Sequence, residues 1–129
     1  MKHFKLKTPI FKGHSLPPRH SHGADYFPEH LKRASPSQKR LMADLVLFLR
    51  SNDDVMELDY DTMLKYNSTT GRVVIISEGS LMHILNYADT PDAEVLSGDI
   101  MDAFTKIGKR YGYEWDMVDH VTIGFYPVE

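Results

Sequence analysis

The apolar positions of this chain change period several times, and each change predicts an element. Leu41, Leu45, Phe48 and Leu49 recur at i, i+4, i+7 and i+8, the stripe of a helix that faces a core. Met42 and Val46 widen that stripe. Ahead of it, Ser35-Pro36-Ser37-Gln38 has the capping-box pattern: a hydroxyl at N-cap, proline at N1 and glutamine at N3. Asn52 supplies a stop. Met56, Leu58 and Tyr60 then alternate with Glu57, Asp59 and Asp61, a period of two that predicts a short strand with one acidic face. Thr62 to Tyr66 reads as a helical turn, and Asn67 to Gly71 as a turn cluster. Val73 to Ile76 is apolar and β-branched without polar interruption, which predicts a central strand.

Ser80 is placed to cap a helix to about Ala88, with Leu81, Ile84, Leu85 and Ala88 on one face. Thr90-Pro91 marks another helical start, which Gly98 is expected to interrupt. Ile100, Phe104, Ile107 and Tyr111 continue the helical period. Lys106, Lys109 and Arg110 fall in the last turns, where they complement the helix dipole, and Gly112 ends the helix. Tyr113, Trp115 and Met117 alternate with polar residues, as do Val121, Ile123 and Phe125. This predicts strand in two pieces joined near Asp119 and closed by Pro127. The expected fold is α+β, with a small sheet of about three strands packed with about three helices.

Residues 1–34 are patterned differently. They hold Pro9, Pro17, Pro18 and Pro28, and the histidines His3, His14, His20, His22 and His30. Proline at this density removes backbone donors and breaks helix periodicity. Phe4, Leu6, Ile10, Phe11, Tyr26 and Phe27 are scattered through the stretch, more apolar surface than a solvated tail needs. The expectation is an extended arm over 1–34 that docks in places, followed by one α+β domain over 35–129. The 129 residues suit a single domain. The absence of cysteine excludes disulfides, thiolate metal sites and cysteine nucleophiles. No apolar run resembles a signal peptide or a membrane span, so a cytoplasmic protein without a membrane partner is expected.

Charge changes the picture most. Residues 1–50 carry ten basic and three acidic residues, whereas residues 51–129 carry five basic and fifteen acidic ones. Such a split speaks to partners more than to chemistry. Lys2, Lys5, Lys7, Lys12 and Arg19 alternate with Phe4, Phe11 and His20 in the arm, and Lys32-Arg33 and Lys39-Arg40 extend the positive region. Basic and aromatic residues together suit phosphate contact and base stacking, but no nucleic-acid-binding motif accompanies them. An arm that grips an acidic protein, or an acidic neighbouring copy, is the stronger expectation. The plainest alternative is an arm folded back on its own acidic domain. Asp59 and Asp61, with Asp53, Asp54 and Glu57, form the acidic counterpart.

One local pattern points to catalysis. In His120-Val121-Thr122 an imidazole and a hydroxyl stand two places apart, on one face if the segment is strand. His120 would act as general acid or base, and Thr122 as a donor to a phosphoryl oxygen. The run His120-Val-Thr-Ile-Gly-Phe resembles one half of the signature of the two-histidine phosphoesterases. That resemblance implies two His-x-Thr/Ser strands facing each other across a metal-free cleft. No second histidine of this chain is followed two places later by Ser or Thr; His20-Ser21-His22 is the nearest substitute. Histidines of the arm, or the Asp53–Asp61 carboxylates, are candidate metal ligands by type, but no ligand spacing is matched, and no metal or other cofactor is expected.

These residues lead to three functional expectations. The first is a small non-enzymatic interaction or regulatory protein, with a basic arm and an acidic body, that binds a macromolecule by charge complementarity. The second is a metal-independent phosphodiesterase using His120 and Thr122. The third is an assembly subunit whose arm wraps a neighbouring copy.

Overall fold

The computed structural model describes residues 3–13, 16–19, 24–58, 62–67 and 69–128. Among these residues, five strands form one mixed sheet. They are β1 (Ala24–Tyr26), β2 (Thr62–Asn67), β3 (Arg72–Ile76), β4 (Tyr113–Asp119) and β5 (Thr122–Pro127), in the order β1-β2-β3-β5-β4. Only the β1–β2 pair is parallel. Four α-helices, α1 (Pro36–Ser51), α2 (Asp53–Met56), α3 (Ser80–Asn86) and α4 (Pro91–Lys109), complete the fold, with a 3-10 helix at Pro28–Arg33. The expected sheet of about three strands with three helices is therefore corrected to five strands with four helices, within the same α+β class.

Three differences account for the correction, one being that the two pieces expected to join near Asp119 are separate strands, β4 and β5. The alternation does not make a strand over 56–58, and residues 59–61 lie outside the described residues. Residues 53–56 close a helical turn, and Glu57 ends it in the left-handed region (φ 51°) with its amide on the Asp53 carbonyl. The strand lies further on, in Thr62–Asn67, where a helical turn is expected from sequence. There Leu64 faces the core, and Thr62 meets Ser77 in a buried hydroxyl pair at 3.1 Å. The third difference is β1, three residues too short to show a period, which add to β2 in register Ala24–Thr62. Ser80 also differs from expectation. It is the first residue of α3 after an N-cap at Gly79, and its hydroxyl donates to the Met56 and Glu57 carbonyls.

Other elements match their sequence signals. The α1 capping box is complete: Ser35 Oγ accepts from the Gln38 amide, and Gln38 Oε1 accepts from the Ser35 amide. Thr90 caps α4 through the Ala93 amide, and Gly112, at φ 75°, carries the turn after the helix. β3 is central, and the last two strands form a hairpin. Gly98 does not interrupt α4. It is exposed within the helix, and a Cβ there would meet nothing within 4 Å. Gly98→Ala is expected to raise stability by about 0.5–1 kcal/mol, because the unfolded chain loses freedom that the helix never uses. Urea denaturation measures it; a destabilised variant would contradict an unstrained helical Gly98.

The core lies between α1, α3 and α4 and one face of the sheet. Leu41, Leu45, Phe48 and Leu49 of α1 and Ile100, Phe104 and Ile107 of α4 meet Leu64, Val73, Ile75, Ile123 and Phe125. Met63, Val74, Ile76, Val118 and Tyr126, on the opposite face, are outside this cluster. Among the described residues, no helix is long and apolar enough to cross a membrane.

Candidate interaction surface

The arm is clamped across α1 and α4, and the clamp holds its main chain. Asp99 of α4 accepts from the Phe4 amide at 2.7 Å and contacts the His3 imidazole at 2.8 Å. Asn52, the residue that ends α1, takes both backbone groups of Lys7: its Oδ1 accepts from the amide and its Nδ2 donates to the carbonyl, each at 2.8 Å. Arg110 donates to the carbonyls of Thr8 (2.6 Å) and Pro9 (3.3 Å). Asp44 accepts from the Phe11 amide at 2.8 Å. Phe4, Leu6 and Leu16 add partly buried apolar contact to the core.

Asp44 is the keystone of this arrangement. It is 1% exposed, within a helix of apolar neighbours. Besides the arm amide, it receives Arg110 Nη1 at 3.1 Å and the Tyr111 hydroxyl at 2.6 Å. A buried carboxylate is tolerated when paired and fully hydrogen-bonded, and here α1, α4 and the arm supply the partners together. Burial, and then the hydrogen bond to Asp44, push the Tyr111 phenol up to about 12. A phenol whose folded pKa is raised stabilises the fold fully below its unfolded value near 10, and loses that contribution as pH rises toward the folded value. Tyr111→Phe is thus expected to lower stability at pH 7 by about 1–2 kcal/mol and to flatten the decline between about pH 10 and 12. Denaturation midpoints of both proteins across that window check this; parallel pH profiles would refute it.

A second clamp ties the end of the arm to β1. Arg50 of α1 donates to the Ala24 and Pro18 carbonyls at 2.9 and 2.8 Å, and Arg19 pairs with Asp25 at 3.2 Å. The Tyr26 hydroxyl donates to the Pro17 carbonyl. Burial lowers the Arg50 pKa, with Asp25, 3.6 Å away, opposing the shift.

Because the clamps hold backbone, the arm's cations point outward. Lys5, Lys7 and Lys12 are exposed, as are Lys32, Arg33, Lys39 and Arg40. Among the described residues none of these seven takes part in an ion pair. Lys106 and Lys109 in the last turns of α4 are exposed as well. Arg40 favours the ionised form of Tyr111, a minor offset to the burial that raises it. Ile10, 54% exposed, is an apolar point among these charges. Lys2, Asp59 and Asp61 lie outside the described residues.

His120 sits in the turn between β4 and β5 rather than on a strand, is exposed, and offers its carbonyl to Asn86 Nδ2 at 3.1 Å. Thr122 opens β5. Asp119 gathers the turn: its carboxylate accepts from the Val121 amide at 2.9 Å, and its pKa is held below the usual range by that bond and by the Thr122 hydroxyl. His14, His20 and His22 lie outside the described residues. Among the described residues, no group of three His, Asp or Glu is placed to hold a metal ion.

Sequence reasoning missed the clamp residues Asp44, Asn52, Asp99 and Arg110. Asp44 carries a signal in retrospect, as the lone charge in Leu41-Met42-Ala43-Asp44-Leu45-Val46. Arg110, placed by its helix-terminal position, spends its donors on the arm and Asp44. Comparison with protein-family models, with curated proteins and with solved structures finds no match for this chain.

Proposed function

We propose that this chain is a non-enzymatic interaction protein that meets an acidic macromolecular surface through cations carried on its docked arm and on the adjoining helix ends. One observation carries this reading. The clamps hold backbone groups of Phe4, Lys7, Thr8, Pro9 and Phe11, and leave the side chains of Lys5, Lys7 and Lys12 exposed and outside any ion pair among the described residues. A basic arm that served only to neutralise its own acidic body would spend its charges internally. A docked arm instead presents them at fixed spacing, which lowers the ordering entropy lost on binding. The favoured partner is an acidic protein surface; nucleic acid is the competing polyanion.

Fluorescence anisotropy with a labelled glutamate-rich peptide, and with a labelled mixed-sequence RNA, tests the proposal. Binding of the acidic peptide should weaken as salt screens the contact. The triple variant Lys5→Glu, Lys7→Glu, Lys12→Glu should lose at least ten-fold in affinity, and His120→Ala should bind as the parent does. Equal binding by the triple variant and the parent would contradict the assignment. Preference for RNA with a steep salt slope would move the partner to nucleic acid.

A further inference from the structure

We propose that the helix-free face of the sheet is a contact between two copies of this chain, related by a two-fold axis that runs parallel to the strands between β3 and β5. The cross-strand registers order the side chains of this face into rows. One row is Lys65, Val74, Gly124 and Asp116, across β2, β3, β5 and β4. The next is Met63, Ile76, Thr122 and Asp119. On the other side lie Asn67 and Arg72, then Tyr126 and Glu114, with the Arg72 guanidinium 5.6 Å from the Tyr126 ring. The middle is apolar. Val118 stands over Gly124, where a Cβ would lie 2.9 Å from its Cγ2, and is itself 47% exposed. Val74 is buried without belonging to the helical core.

The charges across this face are antisymmetric. Lys65 and Arg72 lie on the β2–β3 side; Glu114, Asp116 and Asp119 lie on the β4 side. Among the described residues none of the five forms an ion pair. A pattern of this kind is self-complementary under only one in-plane rotation. With the axis along the strands, β2 of one copy covers β4 of the other and β3 covers β5, so Lys65 meets Asp116 twice. With the axis across the strands, β2 would cover β2 and β4 would cover β4, placing like charges together. An isologous contact requires a patch that matches itself, and aligned sheets pack face to face about 10 Å apart. The four strands that overlap, β2, β3, β5 and β4, are five to seven residues long; at about 4.8 Å between strands and about 3.3 Å per residue they give a face of roughly 400 Å² per copy. That area places the pairing among weak, reversible contacts.

Sedimentation velocity from about 10 μM to 1 mM tests the proposal by charge exchange. The parent should show a reversible monomer–dimer equilibrium in that range. Lys65→Glu alone sets carboxylates against carboxylates, and Asp116→Lys alone sets ammonium against ammonium. Each should weaken its own homodimer at least ten-fold. Mixed together, the two variants should dimerise within about three-fold of the parent, because one contact is then the native pair and the other its reverse, both between opposite charges. Circular dichroism confirms that each variant is folded; both sites are at the surface, and the double variant Lys65→Glu, Asp116→Lys should itself dimerise if either single variant is unstable. A parent that stays monomeric at 1 mM, single variants that dimerise as the parent does, or a mixture that fails to recover would each overturn the proposal. The triple arm variant should dimerise normally, which separates this face from the basic one.

Discussion

Asp44→Ala is expected to lower stability by about 3–4 kcal/mol and to free the arm. The substitution removes the acceptor of the Phe11 amide, of Arg110 Nη1 and of the Tyr111 hydroxyl together. Breaking a buried pair by deleting one partner is costly because the remaining charge is stranded, and two further donors lose their bonds here. Arg110 is held 17% exposed, so it must swing to water, and its donation to the Thr8 and Pro9 carbonyls is lost with it. Urea denaturation gives the stability loss. Trypsin reports the arm directly, since Lys5, Lys7 and Lys12 flank the clamp: native-state cleavage there should accelerate at least ten-fold over the parent. Asp44→Asn, which retains one acceptor, should fall between the two. A loss below 1 kcal/mol with an unchanged cleavage rate would show that the arm is held by its apolar contacts alone.

The clamp has a consequence for how the surface evolves and functions. Asp44, Asn52, Asp99 and Arg110 recognise amides and carbonyls that almost any residue supplies. Side chains facing away from the helices are therefore free to vary without disturbing docking, as Lys5 and Lys7 are, exposed between the half-buried Phe4, Leu6 and Thr8. Anchoring and presentation fall to opposite sides of one extended segment, an alternation imposed by the period of the chain itself. The body's acids divide between two roles: Asp99 holds the arm, whereas Glu114, Asp116 and Asp119 lie on the edge strand β4, on the sheet face that α1 and α4 do not cover.

What was legible in the sequence was local and strongly periodic. The capping box at Ser35–Gln38, the α1 stripe, the β-branched run of β3 and the Thr90-Pro91 start all carry their structure in adjacent residues. What was not legible depends on distant partners. The period-two alternation after Asp53 lost to a helical turn closed by the Asp53 carboxylate and carbonyl, which hold the Leu58 and Glu57 amides. Thr62–Asn67 is strand because β1 and β3 flank it, and β1 is strand because β2 and Arg50 offer bonds to three residues with no pattern of their own. The His120-Val121-Thr122 triplet presumes a strand, yet Asp119 turns the chain there. The clamp was hidden for the same reason: Asp44 and Asn52 of α1 and Asp99 and Arg110 of α4 acquire a common role only when the arm crosses them.

Phe104→Ala is expected to cost about 3–5 kcal/mol, a large share of the stability of a domain this size. Phe104 is fully buried where α4 crosses the sheet. Its ring meets Phe48 of α1 at 5.6 Å, Trp115 of β4 at 5.8 Å and Phe125 of β5 at 5.6 Å, each edge to face. One side chain therefore joins both long helices to the two C-terminal strands. Truncation removes three aromatic pairs as well as the transfer energy, and the rings around the void cannot all collapse into it, since Trp115 is tethered by its indole donor to Thr105 at 2.8 Å. Phe104→Leu keeps most of the volume and should cost about 1–2 kcal/mol. Denaturation with unchanged m-values measures both losses, and the sole tryptophan reports the site: its emission should shift to the red in Phe104→Ala if water reaches the indole, and hold in Phe104→Leu. Equal losses in the two variants would mean that the edge-to-face geometry, not the filled volume, carries the energy of this junction.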